Sequence, residues 1–230
     1  MQLTDLARRH GLDLQLAGRA RGVPLASMSD PDEVRRAVDV YAEHQRDMFG
    51  DGVRRDISAL WLLQDIAWAH ALLSVGLVRA SGSAAYVEGG LAMHFPRDMV
   101  FAVEATPAQL RIEPVADLGA AYRAGRAYLS ELLAPVVTAM LAELKTGPRA
   151  AWACVTDAAS SVVSGEYDAA SLASGLALFT DHRAGEEDRL LTGLTIVGSP
   201  TGPIRRRHGC CLLYAIDGMD VCFSCPRLPA

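Results

Sequence analysis

Apolar positions along this chain switch between helical and strand-like spacing. Val34, Val38 and Tyr41 recur at helical intervals behind Asp30-Pro31-Asp32-Glu33. Asp30 is placed to cap, Pro31 suits the first helical position, and Glu33 is spaced to close a capping box. Gly50-Asp51-Gly52 ends the run. A second long helix is predicted over about Ile57 to Arg79. Its most apolar part, Ala59 to Val78, is long enough to span a bilayer. Gln64, Asp65 and His70 near its centre would be costly in lipid, so it reads as a helix buried in protein, and no transmembrane segment is expected.

The middle of the chain changes period. Ala84 to Glu88 and Leu91 to Phe95 flank Gly89-Gly90, a hairpin signal. Met99 to Ala105 and Leu110 to Glu113 read as two further short strands, which together predict a small antiparallel sheet. Helix returns at Asp117 with Leu118, Tyr122, Gly125, Leu129 and Leu132 on one stripe. Pro135 is expected to break or kink that helix. Val136, Val137, Met140, Leu141 and Leu144 then form a new one, ended by Gly147-Pro148. Trp152, Val155, Ala159 and Val162 mark another, and a weaker helix spans about Ala169 to His182. The class is α+β, mainly helical, with no internal repeat or low-complexity tract.

Composition narrows the function. A chain of 230 residues, 50% hydrophobic, can bury a core without disulfides. The net charge is -5, from 22 basic and 27 acidic residues, which argues against nucleic acid as the partner. The opening MQLTDLARRHGLDLQ lacks the apolar run of a secretory signal, so a cytoplasmic location is expected. No Gly-rich phosphate motif occurs, and the chain shows no nucleotide site of its own.

Five cysteines are present, an odd number that does not suggest a disulfide framework in a reducing compartment. Four of them, Cys210, Cys211, Cys222 and Cys225, fall within sixteen residues as C-C-x10-C-x2-C. Leu212 to Ile216 favours a strand, Asp217-Gly218 a two-residue turn, and Met219 to Phe223 a returning strand. That hairpin sets Cys210 opposite Cys225 and Cys211 diagonally across from Cys222. Neighbouring residues on a strand point to opposite faces, so regular geometry must fail at the open end, over Gly209–Cys211 and Ser224–Pro226. Four soft thiolates suit zinc or an iron–sulfur cluster. An adjacent Cys pair makes a poor zinc knuckle and favours the cluster. A structural zinc in a non-enzymatic protein, and an iron–sulfur redox sensor, remain alternatives.

The C-C-x10-C-x2-C-P ending, preceded by basic residues, resembles the FhuF-type ferric siderophore reductases. A looser similarity covers Leu132 to Ala159, including Pro135 and Trp152. The resemblance implies a [2Fe–2S] cluster on Cys210, Cys211, Cys222 and Cys225, with Pro226 beside them. It implies one-electron reduction of a ferric siderophore in the cytoplasm, with iron release and an external electron donor. It also implies a division into residues 1–203 and a cluster-binding segment 204–230.

Arg205, Arg206 and Arg207 abut the motif. They are candidates for raising the cluster potential or attracting an anionic siderophore, against the alternative of a solvated charge run. Cys154 reads as a buried hydrophobe. Trp61, Trp68 and Tyr86 read as core, with a ligand pocket as the alternative. Asp181-His182 with Glu186-Glu187-Asp188 reads as an acidic surface loop.

Overall fold

The computed structural model describes residues 2–94, 101–163, 188–192, 195–199, 202–222 and 224–228. Short α1 (Leu3–Arg9) and β1 (Leu12–Leu16) lead through β2 (Val23–Pro24) to α2 (Pro31–Phe49). Asp30 caps α2 as expected, accepting from the Asp32 amide at 2.8 Å. The capping box does not close. The Asp30 N–H is already given to the Ser27 carbonyl at 3.0 Å, and Glu33 pairs with Arg36 instead. Gly50, at φ 86°, ends the helix.

Helix α3 (Arg55–Ala71) is the centre of the molecule. Ile57, Leu62, Leu63, Ile66 and Ala67 are all fully buried, and α2, α5 (Leu118–Met140) and α6 (Pro148–Val163) pack around it. The helical run Arg55–Ser81 is long and apolar enough to cross a membrane, yet 72% of its most apolar window lies buried inside the fold. It is not one regular helix. A π-helical turn, Leu72–Gly76, separates α3 from the short α4 (Val78–Ser81). The Ser74 hydroxyl donates to the His70 carbonyl at 2.9 Å, which competes with the regular ladder at the start of this turn. Gly125 meets the same turn so closely that a Cβ there would lie 2.3 Å from Val75 Cγ1.

The predicted hairpin about Gly89-Gly90 does not form. Strand β3 (Ser83–Val87) pairs antiparallel with β6 (Leu110–Pro114). The chain then turns through Gly89 and Gly90, both at positive φ, into β4 (Ala92–His94) of a different sheet. That sheet has the order β1-β5-β4-β2, with β1 parallel to β5 (Phe101–Ala105), so it is mixed rather than antiparallel. Two side chains explain the separation. The Tyr128 hydroxyl accepts from the Val87 N–H and donates to the Val87 carbonyl, and the Leu91 N–H donates to His70 Nε2 at 2.9 Å. Phe95, Met99 and Val100 lie outside the described residues.

Pro135 neither breaks nor ends its helix. Helix α5 runs from Leu118 to Met140 with Pro135 inside, and Leu133, Val136, Val137 and Met140 are buried on both sides of it. Packing of both halves on one core outweighs the missing N–H. Pro148 opens α6 (Pro148–Val163), whose Val155 and Ala159 face α3 in the core. The expected helix at Ala169 to His182 and residues Asp181 to Glu187 fall outside the described residues. Asp188 is described, and it is no surface acid. It is 2% exposed, accepts from Arg126 at 2.8 Å and from Ser130, and ties this segment to α5. An unexpected hairpin, β7 (Thr195–Ser199) with β8 (Gly202–Arg206), leads into the cysteine segment. The class is α+β, mainly helical, with small mixed and antiparallel sheets.

Candidate metal centre

The approach to the cysteines is anchored by one buried carboxylate. Asp157 of α6 is 1% exposed and accepts from Arg205 Nη1 at 2.7 Å, the His208 N–H at 2.8 Å and the Gly209 N–H at 2.9 Å. Arg207 Nε lies 3.5 Å from it and also donates to Gln64 of α3. Gly209 is required at this contact, since a Cβ would press on Ala153 Cβ at 3.0 Å. The basic run is therefore not a solvated stripe: Arg205 and Arg207 are built into the fold, and Arg206 is half-buried.

The predicted cysteine hairpin does not form either. After Cys211 the backbone reverses at Leu212, which sits at φ 61°, the one non-glycine residue with positive φ among those described. A single 3-10 turn, Leu213–Ala215, follows where a strand was expected. Asp217-Gly218 does turn the chain, with Gly218 at φ 81°, but joins no paired strands. Burial decides this. Ile216 is 1% exposed in an apolar cluster with Val53 and Ile57, which pulls the segment onto the start of α3. Trp61 Nε1 donates to the Cys211 carbonyl at 2.7 Å, and the Arg207 N–H donates to the Ser224 carbonyl at 3.0 Å.

The thiols nonetheless meet in the pairs expected. Cys211 Sγ lies 3.9 Å from Cys222 Sγ, and Cys225 is close enough to Cys210 to raise its thiol. Two thiolates about 2.3 Å from one tetrahedral ion stand roughly 3.8 Å apart, so the first pair fits two ligands on one metal. Among the described residues no three His, Cys, Asp or Glu side chains converge as a single-ion site. Interactions also cross between the pairs, Cys211 acting on Cys210 and Cys225 on Cys222, so the four thiols form one neighbourhood of soft ligands. Burial, with repulsion from Cys211, pushes the Cys222 thiol up to about 11. Burial also raises Cys210, opposed by the Leu212 backbone N–H. Such crowded thiols favour ionisation only beside a cation. Cys154 behaves as a buried hydrophobe: it is 3% exposed, within 3.6 Å of the Leu60 carbonyl, and burial pushes it up to about 12.

A half-open cavity of about 560 Å³ borders Cys211 and Cys222. Tyr41, Phe49, Trp61 and Trp68 supply its aromatic walls. Gln45, Gln64, Asp65 and Arg207 supply polar groups. Burial pushes the Asp65 carboxyl up to about 6, although the Tyr41 hydroxyl donates to it and acts the other way. Trp61 and Trp68 thus line a pocket, whereas Tyr86 lies in a separate hollow with Tyr128 and Arg111. Sequence reasoning missed Gln45. It continues the apolar stripe of Val34, Val38 and Tyr41, where a polar residue is out of place.

No curated protein matches the chain. Residues 207–227 match the family model of the FhuF 2Fe-2S C-terminal domain; Cys210, Cys211, Cys222 and Cys225 fit its motif, and the cofactor the domain implies is a [2Fe–2S] cluster.

Proposed function

We propose that the protein is a ferric siderophore reductase in which Cys210, Cys211, Cys222 and Cys225 hold the cluster. When bound, the [2Fe–2S] group supplies one electron at a time. The observation that carries the reading is the cavity against the Cys211–Cys222 pair. It is large enough for a small chelate and lies beside the sulfurs, so that outer-sphere transfer needs no general base or nucleophile. Trp61 holds the Cys211 backbone, and Asp157 fixes the chain entering Cys210, which keeps the sulfur set in place while the acceptor changes. Arg207 brings positive charge beside Cys211 and Cys222, which favours the reduced state. The chelated ferric ion takes up the electron, becomes ferrous, and is held less tightly by hard oxygen donors.

The electron must come from an external one-electron donor, a protein or a small molecule. The test uses protein reduced anaerobically with limiting dithionite and mixed with ferric hydroxamates, catecholates and citrate-type chelates. A ferrous trap pulls the step forward by mass action. Protein reoxidation should match the ferrous complex formed, one for one, and depend on chelate identity. A protein that stays reduced with every chelate, yet is oxidised by a small artificial acceptor, is not a siderophore reductase.

A further inference from the structure

The two-stranded sheet of β3 and β6 covers one of its edges and leaves the other open. The Glu88 N–H donates to the Gln109 carbonyl and the Val115 N–H to the Gly82 carbonyl, both at 2.9 Å. With Tyr86 opposite Arg111 and Ala84 opposite Glu113, these bonds fix the phase of the ladder. Arg111 and Glu113 spend their backbone groups on β3, whereas those of Leu110, Ile112 and Pro114 point away from it. The outer edge of β3 is covered by side chains. Tyr128 holds both backbone groups of Val87, and the Ser81 hydroxyl holds both of Ser83. Among the described residues no side chain does this for Ile112, which is 51% exposed. Residues 111–114 are all exposed.

Open edges are ordinarily blunted by charges that repel a second strand. Here the run is Arg111-Ile112-Glu113, which is complementary to itself. A second copy laid antiparallel, with Ile112 opposite Ile112, sets each Arg111 opposite the other copy's Glu113. The phase agrees. The two Ile112 residues exchange N–H and carbonyl groups that β3 leaves unused, and the charged pairs take the closer, non-hydrogen-bonded positions. Pro114 has no N–H and ends the pairing. Arg111 is held over the Tyr86 ring at 4.7 Å and pairs with Glu113 of its own strand, on the face where the second carboxylate would arrive.

We propose that β6 pairs antiparallel with β6 of a second copy of this chain, forming a two-fold dimer with a continuous sheet β3-β6-β6-β3. The pairing removes the open edge from both copies at once. No residue of β3 or β6 lines the cavity beside Cys211 and Cys222, so the dimer does not depend on the reductase reading.

The experiment uses the full chain. Sedimentation equilibrium should show the mass rising from 24.6 kDa toward twice that value with concentration. Amide exchange, followed residue by residue, should slow at Ile112 as concentration rises. It should stay constant at Arg111 and Glu113, whose N–H groups already belong to the β3 ladder. Arg111→Glu should weaken dimerisation about tenfold, because the symmetry sets like charges opposite each other twice, and Glu113→Arg should do the same. Combining the two changes should restore the affinity of the unaltered chain, which misfolding of either single variant cannot imitate. A chain that stays at 24.6 kDa up to about 1 mM overturns the proposal and needs no variant. So does a dimer in which Ile112 exchanges at its monomer rate, one that either single charge change leaves intact, or one that the double change does not restore.

Discussion

Arg205 and Arg207 share the Asp157 carboxylate, and Arg207 also lines the cavity beside Cys211 and Cys222. Both thiols act on Arg207 electrostatically, and Cys222 acts on Arg205. The three arginines of the run, equal in the sequence, are thus unequal in the fold. Replacing Arg207 with Gln should lower the midpoint potential of the cluster more than the same change at Arg206. Redox titration followed by electron paramagnetic resonance reads this, with iron and sulfide content checked in each variant. Equal shifts at the two positions would mean that Arg207 acts only as part of the general surface charge. Nothing in a run of like residues reveals which member will find a buried carboxylate fifty residues away. That part of the site was not legible before folding, whereas the four cysteines, close in the chain and chemically distinct, were.

At the scale of elements, helices were legible because their apolar stripes are local: α2 and α6 appear where the spacing puts them, and α5 starts where expected but runs on through Pro135. Strand partners were not, because Tyr128 and His70 decide them from distant helices. His70 shows how tightly one such decision is made. Its Nε2 accepts from the Leu91 N–H, so the neutral ring carries its proton on Nδ1 and gives it to the Ile66 carbonyl at 2.7 Å. Burial pushes its pKa down to about 4. The unfolded ring titrates near 6.5, so between about 4 and 6.5 the unfolded chain binds a proton that the native chain refuses. This contribution to stability is present above about pH 6.5 and is lost as pH falls toward 4. His70→Gln removes the titration. The difference in urea midpoint between the two proteins should therefore shrink steadily from about pH 7 to about pH 4.5. A difference that does not change with pH would show that His70 is not held neutral.

For the whole molecule, the match to residues 207–227 understates what builds the centre. Val53, Ile57, Trp61 and Gln64 of the α3 region and Asp157 of α6 hold the segment in place. Asp157 is the strongest of these ties. Asp157→Asn would leave Arg205 and Arg207 facing a neutral amide in a largely buried setting, a loss of about 3 kcal/mol. Urea denaturation should record that loss, and the purified variant should carry less iron and sulfide than the parent. Unchanged stability with full cluster content would mean that the segment is held by its apolar contacts alone. The cavity was hidden from sequence reading for the same reason. It joins residues from the region of Tyr41 to Trp68 with others near Cys211 and Cys222, with Gly11 and Ser161 completing the wall, so it arises only on packing.

The sulfur pairs differ in outlook: Cys211 and Cys222 border the cavity, and the half-buried Cys210 with Cys225 does not. A molecule filling the cavity therefore covers one half of the set and leaves the half-buried Cys210 outside it. In the proposed reductase, a donor that reached the second half would not have to wait for the first to empty, and a tightly held product in the cavity would slow the next exchange without preventing recharging.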